Sequence, residues 1–438
     1  MAYASQIVDG NGVWVPSGYV GPPEPEAYVL GRDGAAVGFD DATLGKHALF
    51  LGSIGSGKTV GMSALVASIR ARQRPDDVLI FFDSKGDYVQ AFHRPGDLTL
   101  SSGALDAFPG GVRWNLFAEL AGLQAAELPE RATELAASLV GGVGDDAGDN
   151  NRIWTSMAQD LLAALVVAYA RSGKAYTNAD LRAISDKLTV GQMRAIIGQH
   201  PDLRGTLQYI AKDDSNTTIS VLIFLQQALR RVFSSGFRER GDFSVRQFVR
   251  RGQGRALFLE YDVALGATLA PVYATMLDVA LKEALARDRP PGRVFFVLDE
   301  FALLPRLAHL DNGLNFGRSL GLRFVAGTQN VGQLRQAYGD GLSDSLLGGF
   351  GTVFAFRLFD QPSRDVVAHR FGRNRKVVRF DAAVKTRGIG EQLVEGNVIE
   401  DWELSGLGVG ECIVGLPQGA PLRFVFAPPP ARPEEGRR

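Results

Sequence analysis

The chain has little of what marks a secreted or membrane-spanning protein. Cys412 is its only cysteine in 438 residues, which excludes a disulfide framework and a cysteine-based zinc site. The first residues, MAYASQIVDG, have neither the basic start nor the apolar core of a signal peptide. The longest apolar run, at 161 to 170, is about half the roughly 20 residues that span a bilayer. We therefore expect a cytoplasmic protein, with no transmembrane segment encoded in this sequence.

Strong charge of either sign is also absent. The formal net charge is −1, so no global basic field indicates nucleic-acid binding. Contacts with DNA would have to come from local clusters or from a lumen lined by several subunits. The contents of 45% hydrophobic and 22% charged residues are those of a globular protein. Composition thus excludes a disordered or fibrous protein and leaves DNA binding open.

The most informative feature that is present is GSIGSGKT, at 52 to 59, which fits the P-loop pattern G-x-x-x-x-G-K-[ST]. Glycines let backbone N–H groups turn toward phosphates, Lys58 brings charge to the β and γ phosphates, and Thr59 offers a hydroxyl to Mg²⁺. The run HALFL before it predicts a buried strand, and apolar residues at helical spacing from Met62 predict a helix after it. The predicted nucleotide-binding residues are Gly52, Ser53, Ile54, Gly55, Ser56, Gly57, Lys58 and Thr59.

A second motif, VFFVLDE at 294 to 300, fits a Walker B strand. Asp299 is predicted to join Thr59 as a Mg²⁺ ligand, and Glu300 to act as the general base that polarises water. The same two acids would also stabilise a helix that begins near Phe301, without any chemistry. Together with a P-loop, the pattern favours an ATPase that uses ATP and Mg²⁺.

Two further residues are candidates for catalysis. Gln329 ends the apolar run LRFVAGTQN and is placed to sense the γ-phosphate or orient water, or else it is a loop residue bonded only to backbone. Arg318 is a candidate finger for a neighbouring subunit's nucleotide, or else a solvated helix arginine. Arg357 and Arg364 are alternatives for that finger.

Other charged groups carry weaker signals. Asp83, Lys85 and Asp87 follow the run VLIFF and would lie at the carboxyl edge of the sheet, although a charged turn explains them equally well. Two arginine clusters suit phosphate contacts, while the phenylalanines within the first also suit a protein core. The first cluster is Arg230, Arg231, Arg238, Arg240, Arg246, Arg250, Arg251 and Arg255, and the second is Arg370, Arg373, Arg375, Lys376 and Arg379.

Short apolar runs separated by helical patterns predict an α/β fold with a mostly parallel sheet covered on both faces. Between 122 and 252 the pattern is helical, with a capping box at Thr177 and Asp180 and an exposed, mobile Gly/Asp-rich loop at 141 to 151. The predicted organisation is a flexible lead at 1–26, a nucleotide-binding core at 27–121 and 253–427, an inserted all-α domain at 122–252, and a flexible Pro-rich tail at 428–438. The six strand runs are HALFL, VLIFF, RALFLEY, VFFVL, LRFVAG and TVFAFRL.

In this order the motifs resemble the type IV secretion coupling proteins of bacterial conjugation, the TraG/TraD type, within the FtsK/HerA superfamily. The segment DEFALLPRL and the pattern Q-x-x-x-Q-L-x-x-x-Y-G from Gln329 to Gly339 are its most specific parts. The resemblance implies a RecA-like core with an all-helical domain, assembled as a hexameric ATPase that binds DNA. It also implies that Lys58 and Thr59 belong to Walker A, Asp299 and Glu300 to Walker B, Gln329 to the nucleotide sensor and Arg318 to an inter-subunit finger.

Three functions remain open at this point, because most proteins of this type begin with transmembrane helices and this sequence shows none. The first is a coupling motor for conjugation or secretion, attached at the inner membrane through a separate anchor or secretion-system subunits. The second is a HerA/FtsK-like DNA translocase for repair, segregation or defence, working with a nuclease partner. The third is a nucleotide-gated platform that recruits protein cargo without moving DNA.

Overall fold

A computed structural model describes residues 5–141, 149–381 and 389–428. The strands are β1 (Ser5–Asp9), β2 (Tyr19–Val20), β3 (Ala27–Leu30), β4 (Ala36–Phe39), β5 (Ala48–Leu51), β6 (Val78–Asp83), β7 (Leu98–Leu100), β8 (Arg255–Glu260), β9 (Val294–Leu298), β10 (Leu322–Thr328), β11 (Thr352–Ala355), β12 (Arg373–Asp381), β13 (Ile389–Asn397), β14 (Glu411–Gly415) and β15 (Leu422–Val425). The helices are α1 (Asp41–Leu44), α2 (Lys58–Ala71), α3 (Asp87–Phe92), α4 (Leu116–Leu120), α5 (Glu127–Gly141), α6 (Asp149–Arg171), α7 (Asn178–Lys187), α8 (Val190–Gly198), α9 (Asn216–Val232), α10 (Val245–Arg251), α11 (Gly266–Ala284), α12 (Leu310–Phe316), α13 (Val331–Tyr338), α14 (Asp340–Gly349), α15 (Gln361–Phe371) and α16 (Asp401–Ser405).

The chain divides into two compact units, and the first comprises residues 1–74, 295–302 and 311–438. Its main strands are hydrogen-bonded in the order β15-β14-β11-β5-β10-β9. Strand β5 is parallel to β10 and β11, whereas β14 and β15 continue the sheet antiparallel. The strands β5, β9, β10 and β11 are buried along their whole length, as expected for runs that are apolar on both faces.

Two small sheets complete the first unit, in the orders β1-β12-β13 and β2-β4-β3. Strand β1 pairs antiparallel with β12, and β2 pairs parallel with β4. Both β1 and β2 lie in the stretch for which the sequence predicts a flexible lead, so residues 5–9 and 19–20 are extended and paired. Residues 1–4 of that lead and 429–438 of the predicted tail lie outside the described residues.

The second unit comprises residues 75–294 and 303–310. Its strands β6, β8 and β7 are parallel neighbours in that order. Between β7 and β8 the described residues form helices α4 to α10, short 3-10 turns and isolated bridges, without a further strand. The fold is therefore the α/β sheet with an all-helical insertion that the sequence predicts, while the insertion's limits at 122 and 252 remain a prediction.

The helical segment confirms one local prediction and corrects another. The capping box at the start of α7 is present, with the backbone N of Thr177 donating to Asp180 Oδ2 at 2.9 Å. The Gly/Asp-rich loop is shorter than the predicted 141–151, because Gly141 ends α5 and α6 begins at Asp149. Residues 142–148 lie outside the described part of the chain.

A buried glutamate ties the start of the helical segment to its end. Glu119, in α4, is 0% exposed and accepts hydrogen bonds from Trp114 Nε1, Ser244 Oγ and the backbone N of Val245 at 2.8, 2.8 and 2.7 Å. The backbone N of Arg246 is a fourth donor, at 3.0 Å. Because the first N–H groups of a helix have no partner within it, this carboxylate caps α10 as well as joining distant parts of the chain.

Among the described residues one helix is long and apolar enough to span a membrane. It is α6, over the 20 residues Arg152–Arg171, and 61% of its most apolar window is buried inside the protein. The buried residues include Leu161, Leu162 and Val166. Burial against neighbouring helices therefore accounts for the apolar composition of α6.

His47, directly before β5, holds two distant backbone segments. It is 1% exposed, its Nδ1 accepts a hydrogen bond from the backbone N of Phe324 at 3.2 Å, and its Nε2 lies 3.1 Å from the carbonyl O of Leu314. Because Nδ1 accepts, the neutral ring carries its proton on Nε2 and donates it to Leu314. Burial lowers the pKa of His47 to about 4, and the charges of Arg323 and Arg318 add to the effect.

We predict that acid destabilises the first unit through His47. The folded pKa of about 4 lies below the unfolded value, so the folded state binds fewer protons and stability is fully present above pH 6.5. It is lost as the pH falls from 6.5 toward 4, by about 2 kcal/mol at pH 5. Urea unfolding at pH 7 and pH 5 measures this loss. His47→Asn should reduce it, while His369→Asn, at an exposed histidine of α15, should not; equal losses in all three proteins would contradict the assignment.

Candidate functional site

The loop between β5 and α2 has the backbone that phosphate binding requires. Gly55 and Gly57 have φ values of 72° and 96°, in the left-handed region that favours glycine. The space around these two glycines differs. A Cβ on Gly55 would meet nothing within 4 Å, whereas a Cβ on Gly57 would lie 2.6 Å from the backbone N of Gly410. Gly57 is therefore required by both its conformation and its crowding.

Three neighbouring segments anchor this loop through backbone hydrogen bonds. They are the end of β10, the segment after β11 and the turn before β14, all in the first unit. The loop is thus held by the sheet that surrounds it and does not depend on its own residues alone. The bonds are Gly52 N to Thr328 O (3.2 Å), Ser53 N to Arg357 O (3.0 Å) and Gly410 N to Ser56 O (2.9 Å).

The predicted P-loop lysine contacts the predicted general base. Lys58 Nζ donates to Glu300 Oε2 at 3.1 Å, and the two side chains are only 10% and 9% exposed. Lys58 opens α2, and Glu300 follows β9 by two residues. Residues 242 positions apart in the sequence are therefore brought together as the two motifs predict.

The contact between Lys58 and Glu300 leaves two buried side-chain oxygens at the site without a partner among the described residues. No described residue hydrogen-bonds to Glu300 Oε1 or to Ser56 Oγ, although both atoms are buried. Buried polar atoms normally have partners, so each unpaired atom requires an explanation. The glycine loop, Lys58 and the Ser56 hydroxyl can donate hydrogen bonds to a phosphate group, and Glu300 Oε1 can accept one from a water.

The predicted Mg²⁺ ligands lie on the two motifs that this contact joins. Asp299 is 3% exposed and immediately precedes Glu300, while Thr59 lies half-buried in the first turn of α2. A Cβ on Gly327 would lie 2.4 Å from the carbonyl O of Asp299, so β10 runs close against the end of β9. A carboxylate and a hydroxyl are oxygen ligands of the kind that Mg²⁺ prefers.

Gln329 lies at the same edge of the sheet as the P-loop. It follows β10, whose last residue Thr328 is paired in parallel register with Leu51, the last residue of β5. The cap of the next helix is the adjacent Asn330, which accepts from the backbone N of Gln333 at 2.8 Å. Gln329 is half-buried, and its position suits the predicted sensor.

Arg318 lies at the opposite edge. It is exposed, in the turn Gly317–Leu320 that directly precedes β10. Since β5 and β10 are parallel, their amino ends share one edge, and the seven residues of β10 separate it from the P-loop edge. At the usual rise per residue that separation is roughly 20 Å. Arg318 therefore cannot reach the nucleotide of its own P-loop.

The alternative finger candidates have other surroundings. The carbonyl O of Arg357 accepts a hydrogen bond from the P-loop residue Ser53. The guanidinium carbon of Arg357 lies 5.3 Å from the centroid of the Phe359 ring. Arg364, in α15, lies 4.0 Å from Asp401. Arg357 thus belongs to the P-loop surroundings, and Arg364 faces a carboxylate.

Asp83 has a structural function. It is 0% exposed, and its Oδ2 accepts from the backbone N of Tyr88 and of Val89, both at 2.9 Å. It therefore caps α3, as the interpretation of a charged turn predicts. Lys85 and Asp87 are exposed.

Members of both arginine clusters have partners within the chain. In the first, Arg250 contacts Glu283 at 2.6 Å and Arg230 contacts Asp186 at 3.1 Å, while Arg238 and Arg240 are exposed. Its phenylalanines at 233, 237 and 248 are buried, as the core interpretation predicts, and Phe243 is half-buried. In the second, Lys376 contacts Glu400 at 2.9 Å and Arg373 contacts Glu395 at 3.4 Å. The side chain of Arg379 lies outside the described residues.

Sequence reasoning missed three parts of the chain that contact the P-loop or hold the strand before it: His47 before β5, Phe359 after β11, and the turn that ends at Gly410. Only the turn carried a signal, the glycine pattern GLGVG at 406 to 410. His47 and Phe359 act through contacts with residues far away in the sequence, so no local pattern marks them.

Comparison with known proteins places the chain in a family. Residues 33–392 match the model of the type IV secretion-system coupling protein DNA-binding domain. The chain is 26% identical to the coupling protein TraD of Escherichia coli (strain K12) over 315 residues, which are 70% of this chain and 41% of TraD. It therefore spans less than half the length of that relative.

Solved structures share the fold. The plasmid coupling protein TrwB in complex with ADP and Mg²⁺ superposes with a TM-score of 0.75 at 20% identity, over 98% of this chain and 95% of the TrwB chain in that structure. TrwB with a non-hydrolysable ATP analogue gives the same values. VirB4 of Thermoanaerobacter pseudethanolicus has a TM-score of 0.59 at 15% identity, over 94% of this chain and 98% of the VirB4 chain in that structure.

These similarities confirm the resemblance that the motifs carry. The family match covers the P-loop, the Walker B strand and the segment from Gln329 to Gly339. The chain belongs to the family of the type IV secretion-system coupling protein DNA-binding domain.

Proposed function

We propose that the protein is an ATP-hydrolysing, DNA-binding motor that moves or recruits DNA or nucleoprotein for conjugative transfer or secretion. The observation that carries this proposal is the buried contact of 3.1 Å between Lys58 and Glu300 beside the P-loop. The family description names DNA binding and type IV secretion. TrwB has been obtained with ADP and Mg²⁺ and with an ATP analogue, which supports ATP and Mg²⁺ as ligands here.

In the proposed mechanism, ATP replaces Glu300 as the hydrogen-bond acceptor of Lys58. The P-loop backbone and Lys58 bind the β and γ phosphates of ATP. Thr59 and Asp299 would hold Mg²⁺, which would supply positive charge beside those phosphates. When Lys58 donates its hydrogen bonds to the γ-phosphate, Glu300 no longer has a cationic partner. Its carboxylate can then polarise a water for in-line attack. Gln329 contacts the γ-phosphate or orients that water.

The position of Arg318 supports a ring in which nucleotide lies between subunits. A guanidinium at the amino edge of the sheet can stabilise transition-state charge only on the nucleotide of another copy. We propose a hexamer, in which weak basic contacts from several copies surround one lumen for DNA. We place the protein in the cytoplasm and propose secretion-system subunits as its contact with the inner membrane.

We predict that DNA stimulates the ATPase. The purified 438-residue chain should hydrolyse ATP faster with DNA than without it, and the stimulation should weaken as salt rises, because phosphate contacts release counterions. Hydrolysis with single- and double-stranded DNA, with the mass of the assembly recorded in the same samples, measures this. A monomer whose rate ignores both DNAs would count against the motor, and a rate raised only by a cargo protein would favour a recruitment platform.

We predict opposite effects of the two partners in the buried pair on nucleotide binding. Glu300→Gln should lower hydrolysis by about 10²- to 10³-fold, yet retain or strengthen ATP binding, because it removes the carboxylate that competes for Lys58. Lys58→Ala should abolish binding and hydrolysis. It also leaves a buried carboxylate without its cation, which costs about 3–5 kcal/mol of stability.

The double variant Lys58→Ala/Glu300→Gln is therefore the control for folding. It should recover the thermal stability that Lys58→Ala loses, and remain inactive. Full turnover in Glu300→Gln would show that another group polarises the water.

We predict that Arg318 acts between subunits. Arg318→Ala and the double variant Lys58→Ala/Glu300→Gln should each be inactive alone. A random equal mixture should regain about a quarter of the wild-type sites, because a site then needs its P-loop from one chain and its arginine from another. Arg32→Ala, at an exposed arginine in a similar short turn, should retain full activity. A mixture no more active than its components would exclude this function of Arg318.

A further inference from the structure

Two large apolar side chains that adjoin the P-loop are exposed. Phe359 is 61% exposed, on the segment that follows β11, and Val409 is 61% exposed, in the turn before β14. The backbone N–H groups of the neighbouring residues Leu358 and Gly410 donate hydrogen bonds. The Phe359 and Val409 side chains therefore project from ordered parts of the first unit. Single exposed apolar residues are normal on a protein surface, so the significance of these two lies in their attachment to the phosphate-binding loop.

Phe359 is fixed to the start of the P-loop. Its backbone N donates to Ser53 Oγ at 3.3 Å, and the carbonyl O of Arg357 accepts from the backbone N of Ser53 at 3.0 Å. The Arg357 guanidinium lies over the Phe359 ring, with its carbon 5.3 Å from the ring centroid. The cation covers one face of the ring and leaves the other face for stacking.

Val409 is fixed to the middle of the same loop. The next residue, Gly410, donates from its backbone N to the carbonyl O of Ser56 at 2.9 Å, and it packs so closely on Gly57 that a Cβ there would lie 2.6 Å away. The anchors of the two apolar side chains, Ser53 and Ser56, are three residues apart in the loop that holds the phosphates. A base joined to those phosphates through its ribose lies within the same neighbourhood.

We propose that Phe359 and Val409 form the nucleobase subsite of the P-loop. The base stacks on the free face of the Phe359 ring, and the Val409 side chain contacts the base or its ribose. This inference rests on nucleotide binding by the P-loop, as proposed above. Stacking on an aromatic ring reads the flat face of a base and not its edge, so the subsite accepts adenine and guanine alike.

Binding measurements on the 438-residue chain test this subsite, with ATP, GTP and inorganic tripolyphosphate as ligands. Phe359→Ala should raise the Kd of ATP and of GTP by about tenfold each, since one stacked base is lost. The Kd of tripolyphosphate should not change, because that ligand contacts only the P-loop. Phe359→Trp should retain both nucleotides, and Val409→Ala should show the same pattern at about threefold.

Tyr19→Ala is the matched control, because Tyr19 is an aromatic residue that is 48% exposed in the same unit but belongs to the small sheet β2-β4-β3, on neither the P-loop segments nor the Arg318 turn. It should leave all three Kd values unchanged. An equal loss for tripolyphosphate in Phe359→Ala would mean that the P-loop itself is distorted, and would overturn the subsite. So would unchanged nucleotide binding with a loss of assembly mass, which would assign the ring to a contact between copies.

The outcome is independent of the proposed motor. If Lys58→Ala/Glu300→Gln abolishes binding of all three ligands while Phe359→Ala affects none, the P-loop assignment stands and the base subsite fails. If tripolyphosphate binds the double variant as well as it binds wild type, the P-loop assignment fails and the base subsite fails with it.

Discussion

The buried contact between Lys58 and Glu300 is the interaction on which the rest of the site depends. Burying two charges costs several kcal/mol per ion, roughly, unless each has a partner and further hydrogen bonds. The pair meets the first condition, at 3.1 Å, but leaves Glu300 Oε1 without a described donor. Lys58 can therefore leave Glu300 for an acceptor with more negative charge, such as the phosphates of a nucleotide.

Parallel strands divide the chemistry between two edges of one sheet. Lys58, Glu300 and Gln329 follow the carboxyl ends of β5, β9 and β10, while His47 and Arg318 precede the amino ends of β5 and β10. The register of β5 with β10 keeps these groups apart whatever their side-chain conformations. One chain therefore holds a phosphate cradle that its own Arg318 cannot complete, which is the physical argument for assembly in the proposed motor.

Much of the fold was predictable because its signals are local. All six apolar runs are strands, VFFVL at 294 to 298 with its limits unchanged, and the capping box at Thr177 needs only residues three apart. The antiparallel strands β14 and β15 were not predicted, and neither were β1 and β2. The function of His47 depends on Leu314 and Phe324, more than 260 residues away, and no composition or spacing encodes such a contact. For the same reason the sequence does not show that several arginines of the two clusters have carboxylate partners in the fold.

A single strand, β10, connects two of the predicted catalytic residues, Arg318 and Gln329. β10 begins after Arg318 and ends before Gln329, and it is buried along its whole length between β5 and β9. A buried strand that is hydrogen-bonded on both sides is close-packed and transmits a displacement along its length. We therefore expect a change of state to arise at its ends, in the turn Gly317–Leu320 or in the loop at Gln329 and Asn330. His47, which bonds to the backbone of Phe324, ties the amino end of β10 to the strand that leads into the P-loop. In a ring, the γ-phosphate at one nucleotide and the arginine offered to the next would then be linked through a single rigid element.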